Sequence, residues 1–161
     1  MKKLITIFFF LVLTAGVGKV AAQTEERVPL EIDDLQIDVK SVKVDSKTDT
    51  AVIELFLISL GRNPREFKLN VFGTQVIDEK SNSNFITTIK FGRVLVSLAD
   101  RQNYLHYLLQ PDMPVLLSIK VANWSKTNKT KPAQVKLVFE DSKEVGKFIE
   151  QLVVLEEKPQ L

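Results

Sequence analysis

The chain has 161 residues, with 22 lysines and arginines against 20 aspartates and glutamates, a single histidine and no cysteine. Without cysteine there are no disulfide staples, no thiolate metal site, no cysteine nucleophile and no lipid-modified cysteine. One histidine excludes a histidine-rich metal site, and the near-balance of charge argues against a generally basic nucleic-acid binder, whose footprint is charge clustered over one face.

The first predicted element is a secretory signal peptide over residues 1–22. Met1-Lys2-Lys3 is a cationic start, Leu4 to Gly18 is an uncharged apolar run, and Val20-Ala21-Ala22 is a small-residue cleavage site before Gln23. The apolar run holds about fifteen uncharged residues before Lys19, short of the roughly twenty that span a bilayer, so cleavage is expected rather than anchoring. Loss of Lys2, Lys3 and Lys19 leaves 19 basic residues against 20 acidic ones in a mature chain of 139 residues. That length suits one domain able to bury a core without staples. The expected location is the periplasm or the cell exterior, with no stable membrane anchor.

Residues 23–33 read as an N-terminal tail or edge segment in which Val28, Leu30 and Ile32 alternate. They fit an ordinary edge strand or tail, or a strand donated to a neighbouring subunit. Over residues 34–156, apolar-alternating runs are broken by turn residues at intervals of about eight to twelve, the spacing of a sandwich or barrel. Leu35, Ile37 and Val39 alternate, and Val42 and Val44 continue in the opposite phase, which predicts a β-bulge near Lys40-Ser41. Ala51 to Leu60 is apolar on both faces apart from Glu54 and Ser59 and reads as a central strand. Phe67, Leu69 and Val71 make the next face, and Gly73 bends or breaks the run before Gln75–Asp78. After the polar turn 78–84, Phe85, Thr87, Ile89 and Phe91 begin another strand, followed by Val94, Val96 and Leu98.

Tyr104 to Leu109 reads as a strand or one turn of helix. Val115, Leu117, Ile119 and Val121 form a clear inward face that ends at Asn123-Trp124, and Val135, Leu137 and Phe139 follow the polar loop 125–132. The segment from Lys143 to Leu155 fits both periods, and the all-β context favours a final strand from about Lys147 to Leu155 paired with Val135–Glu140. Residues 157–161 are a C-terminal tail. The expected core includes Val39, Phe56, Leu69, Ile89, Val96, Leu117, Ile119, Leu137 and Val153.

Three stretches together resemble the small bacterial exported immunoglobulin-like sandwiches, including those described as immunoprotective-extracellular-like domains. They are Ala51–Asn63, where a long apolar strand runs into Gly-Arg-Asn; Val76–Phe85, where an Asp-led polar turn precedes an aromatic; and Gln110–Asn123, where a proline-bracketed turn leads into VLLSIKVAN. Such domains often carry glycine in the polar turn, where this chain has Ser81-Asn82-Ser83. The resemblance implies an all-β, immunoglobulin-like antiparallel β-sandwich of about eight strands, export, and an interaction or scaffold role, with no catalytic residues to carry over.

Few residues of the chain offer chemistry. His106 sits between Leu105 and Tyr107, where a structural or surface histidine is the simpler reading than the base of a Ser-His-acid set. Asp33, Asp34 and Asp38 offer oxygen ligands, but calcium loops need more of them, often with glycine, and a solvated acidic stretch fits better. No glycine-rich phosphate loop is present, and no cofactor is expected. A hydrolase built on a carboxylate pair is the weak alternative.

The most polarised feature is the interval from Met113 to Phe139, which has no acidic residue and contains Lys120, Lys126, Lys129, Lys131 and Lys136. Trp124, Lys126, Lys129 and Lys131 are therefore the candidate contact residues for an envelope protein or an anionic glycan, with charge steering and an exposed indole supplying contact area. The alternative is a solvated loop with Trp124 tucked into the sandwich edge. Asn123-Trp124-Ser125 and Asn128-Lys129-Thr130 match the N-glycosylation pattern, which matters only in a compartment with that machinery. The function expected is a non-catalytic binding or scaffold module; a self-assembling subunit of a surface complex is the alternative.

Overall fold

A computed structural model of the chain describes residues 29–127 and 130–155. The expected leader over 1–22, residues 23–28, Lys129 and the tail 157–161 lie outside the described residues. Twelve described strands form two antiparallel sheets. The first runs in the order β1 (Leu30–Ile32), β2 (Leu35–Asp45), β3 (Thr50–Ser59), β10 (Val115–Ala122), β7 (Thr88–Phe91), β8 (Val94–Ser97). The second runs β6 (Ser83–Phe85), β5 (Gln75–Asp78), β11 (Pro132–Glu140), β4 (Arg65–Asn70), β9 (Tyr104–Leu109), with β12 (Phe148–Val154) on the far side of β11.

Strand alternation builds the core directly, because inward residues recur at period two. On β3 the inward set is Ala51, Ile53, Leu55 and Leu57, all fully buried, facing Phe67, Leu69, Val135, Leu137 and Phe139 of the second sheet. Phe67 lies 5.4 Å from both Phe91 and Phe139, ring centre to ring centre, so three aromatics tie the two layers together. Each such burial is worth about 1.5–3 kcal/mol.

The register shifts between Val39 and Ser41, so Lys40 is the extra residue of a bulge and Val42 returns to the interior. The final segment is a strand, with Phe148 facing Glu140 and Val154 facing Gln134. Gly73 marks the break between β4 and β5, and a Cβ there would come within 3.1 Å of the Val138 side chain. Tyr104–Leu109 is a strand, preceded by a 3-10 turn over Leu98–Asp100.

Four expectations are corrected. Phe56 belongs to the outer face of β3, where Lys40 Nζ lies 5.5 Å from its ring, since the odd-numbered residues take the interior of a strand apolar on both faces. Val39 is only partly buried, because it lies at the bulge, beyond the last residue of β2 that pairs with β1. Phe85 is exposed and starts no inward face. The chain leaves β6 in one sheet and enters β7 in the other across Ile86 and Thr87 alone. Strands number twelve rather than about eight, because this crossing and the tight turn at Gly92-Arg93 divide runs that read as continuous.

The crossing is pinned. Thr87 N donates to Lys120 O at 2.7 Å, Thr87 O accepts from Leu98 N at 3.0 Å, and its hydroxyl accepts from Ala122 N at 2.8 Å. Ile86 is buried beside it. At the nearby β7–β8 turn, Gly92 has φ +55°, and a Cβ would fall 2.6 Å from Tyr107 Oη, so glycine alone fits.

Candidate functional site

The candidate contact loop begins with α1 (Trp124–Thr127) at the end of the sandwich where β2 turns into β3. Asp49, in that turn, organises it: its carbonyl accepts from Trp124 N at 3.0 Å, and its carboxylate accepts from Ser125 N at 2.8 Å and from the Ser125 hydroxyl. This is helix capping supplied from another element. The Ser125 hydroxyl first, then its amide and the Lys126 charge, hold the Asp49 carboxyl below the ordinary range.

Trp124 is 2% exposed, and its Nε1 donates to Thr130 O at 2.9 Å. Of the two readings of Trp124, the structure has the tucked one and corrects the exposed contact indole: the ring joins the core at this end, and the carbonyl of its own loop satisfies its N–H. Lys126 is exposed and its Nζ donates to Asn123 Oδ1 at 3.1 Å. Lys129 lies outside the described residues. The rest of the basic interval is dispersed, Lys120 on the outer face of the first sheet and Lys136 on that of the second, 3.8 Å from Glu150. Lys131 lines a cavity.

That cavity is a groove of about 840 Å³ between the two sheets at their open edge. Val42 and Val44 of β2 form one wall; Ala133 of β11 and Val154 and Leu155 at the end of β12 form the other. Lys43, Asp45, Glu79 and Lys131 stand around its mouth. β1 pairs with β2 only over Leu35–Ile37, and among the described residues no strand pairs with the outer edge of β2 from Asp38 to Asp45. Val44 faces Ala51 across the ladder yet remains 40% exposed. No linear pattern singles out Lys43, Val44, Asp45 or Glu79 as a site, since only the fold brings residues 42–45 beside 154–155.

The neighbouring turn is rigid. Asp78, 3% exposed, accepts from Lys80 N at 2.9 Å, Asn82 N at 2.8 Å and Asn82 Nδ2 at 2.9 Å. Burial pushes its carboxyl up, but these donors outweigh it and the net direction is down.

The other end of the sandwich is sealed. Arg65 Nη2 donates to Asp33 Oδ2 at 2.9 Å and Nη1 to Asp33 O at 2.5 Å, while Ser142 donates to the same carboxylate from its amide at 3.0 Å and its hydroxyl at 2.5 Å. Burial works to raise the Asp33 carboxyl, but Ser142 and Arg65 together hold it below its ordinary value. The acidic stretch does not converge on a cation position: Asp34 stands 4.0 Å from Lys143, and Asp38 accepts from Gln36 Nε2 at 2.9 Å.

No protein-family model, curated protein or solved structure matches this chain. His106 Nδ1 lies 2.7 Å from Glu66 Oε1 on an exposed strand face, beside a cavity of about 460 Å³ lined by Arg93, Val94, Tyr107, Leu108 and Gln110. Among the described residues, that lining carries no serine, threonine or carboxylate beside the His106–Glu66 pair.

Proposed function

We propose that the protein is an exported, non-catalytic binding or scaffold module of the periplasm or cell exterior, an immunoglobulin-like sandwich that takes a protein partner at the groove between β2 and β11–β12. The observation that carries this reading is the groove itself, apolar within and ringed by Lys43, Asp45, Glu79 and Lys131. An anionic glycan fits less well than a polypeptide, because Asp45 and Glu79 share the mouth with the lysines and repel a polyanion, whereas a polypeptide can match both signs. Trp124 contributes to the packing that holds the loop carrying Lys126 and Lys131, through its bond to the Thr130 carbonyl.

The test is capture from solubilised envelope and secreted fractions of the host by the immobilised chain, residues 23–161, and by its variants. Reversing both groove lysines, Lys43→Glu with Lys131→Glu, is expected to lower recovery of the captured protein about tenfold, a loss of roughly 1.4 kcal/mol. Lys126→Glu, away from the groove, is expected to leave recovery within about twofold. Equal recovery by all three proteins would remove the groove from consideration. A self-assembling subunit is the second reading, favoured by the outer edge of β12, which has no strand partner among the described residues and exposes Leu152 and Val154 beside it.

A further inference from the structure

The edge strands of the two sheets are not alike. β1 has three residues and β8 four. The free length of β2 is broken by the bulge at Lys40 and carries Lys43, and both features blunt an edge. β12 runs seven residues, Phe148–Val154, in unbroken register with β11, with no proline, glycine or lysine and one charge, Glu150. Its far side has no strand partner among the described residues. Leu155 N donates to Ala133 O and Asp141 N to Lys147 O, so the odd-numbered residues of this segment turn their backbone groups to β11. Phe148, Glu150, Leu152 and Val154 therefore turn theirs to the free edge. There Leu152 O accepts from the side chain of its neighbour, Gln151 Nε2, at 2.8 Å, in the place of a strand N–H.

We propose that two copies of this chain pair through β12, antiparallel about a two-fold axis at Gln151, so that their second sheets become one. The pairing gives the self-assembly reading its surface and register, and rests on it.

Backbone and charge together set the register. Free-edge residues must meet free-edge residues, which leaves few alignments. A centre at Glu150 sets that carboxylate against its own copy, like charges directly opposite. A centre at Leu152 leaves Phe148 and Ile149 without partners in the strand. A centre at Gln151 pairs all seven residues. Phe148 then exchanges backbone hydrogen bonds with Val154 of the second copy, and Glu150 with Leu152 of the second copy. Ile149, half-buried in the single chain, meets Val153 of the second copy on the inward face. Charge fits as well: Lys136 faces Leu152 across the β11–β12 ladder, so Glu150 of the second copy stands in the same row, on the other side of Leu152. Glu150 already lies 3.8 Å from its own Lys136, and each glutamate comes to stand between two lysines. The Gln151 carboxamides meet on the axis and release Leu152 O to the Glu150 N–H of the second copy. β9 is the other open edge of this sheet, but its free-edge residues are Tyr104, His106 and Leu108, and pairing centred there sets His106 against its own copy. Seven residues of ladder make a small interface, so association in roughly the micromolar range is expected.

The test uses the whole chain, in which an introduced cysteine is the only one. Gln151→Cys sets two thiols on the axis in a non-bonded pair, with Cα atoms about 4.5 Å apart and within disulfide range. Leu152→Cys, one residue along, stands about 9 Å from its counterpart in this register and beyond that range. Mild oxidation is expected to turn Gln151→Cys into a reductant-reversible dimer at least about tenfold faster than Leu152→Cys. Equal rates would overturn the register, and no crosslink in either variant would overturn the pairing. Independently, sedimentation equilibrium of the native chain is expected to show monomer and dimer. Leu152→Glu, at a position 49% exposed and so tolerant of the change, sets a carboxylate opposite Glu150 of the second copy and is expected to weaken the dimer about tenfold. A native chain that stays monomeric would overturn pairing and self-assembly together. Association that survives Leu152→Glu unchanged, with no Gln151→Cys crosslink, would overturn this pairing and leave self-assembly to another surface.

Discussion

The two ends of this sandwich solve the same problem in opposite ways. At the sealed end one carboxylate, Asp33, gathers Arg65 from the start of β4 and Ser142 from the β11–β12 turn, so three separate connections are held by a single buried group. At the open end Asp49 of the β2–β3 turn caps α1 and Asp78 folds its own turn, but neither reaches from β2 across to β12. The lesson is that polar networks set where a sandwich is stiff, while the receptive surface lies where no such network spans the layers.

The comparison breaks most sharply at Trp124. Trp124→Ala removes the largest buried side chain of the open end and is expected to cost about 3–5 kcal/mol in urea unfolding. A cost near zero would mean that the indole does not hold that end. Asp33→Ala at the sealed end leaves the Arg65 guanidinium buried without its partner and is expected to cost about 3 kcal/mol; a change below ~0.5 kcal/mol would show that the bridge contributes nothing.

A smaller effect concerns acid. Besides Asp33, the Glu54 carboxyl is held low by the Ser41 hydroxyl and Lys40, and Glu140 by Lys68 and Gly146 N. Each folded value lies below the unfolded one, so the stabilisation is complete above the ordinary carboxylate value of about 4 and is lost as pH falls through the folded values. The urea midpoint is expected to be level from about pH 7 to 5 and to drop below about pH 4. Asp33→Asn, which cannot ionise, should lose less over that lower range than the native chain. An identical acid loss in the two proteins would place the effect at the other carboxylates.

Much of the fold was legible because strand burial writes itself as alternation. The phase change from Val39 to Val42 located the bulge, Gly73 located the break, and the pairing of the last strand with Val135–Glu140 followed from context. Alternation fails where both faces are apolar, which is why Phe56 reads as interior. It also fails where a strand changes sheets, since Phe85 to Phe91 keeps its period in sequence while the backbone passes between layers. The site was legible only at Lys131. Trp124 carries the same letter whether it plugs an end or greets a partner, and the groove joins residues more than a hundred positions apart, for which one sequence holds no signal.

The passage through Ile86 and Thr87 has a mechanical consequence. It joins the sheets on the side where β6 and β7 lie, opposite β2 and β12, and Thr87 is fastened there to β10 and to the start of the 3-10 turn. On the opposite side, that of β2 and β12, the layers are fastened at one end alone, where Asp33 of the β1–β2 turn holds Arg65 and Ser142. The crossing and this clasp leave the other end of the β2–β12 side, where the groove lies, as the part of the seam that no described polar bridge closes.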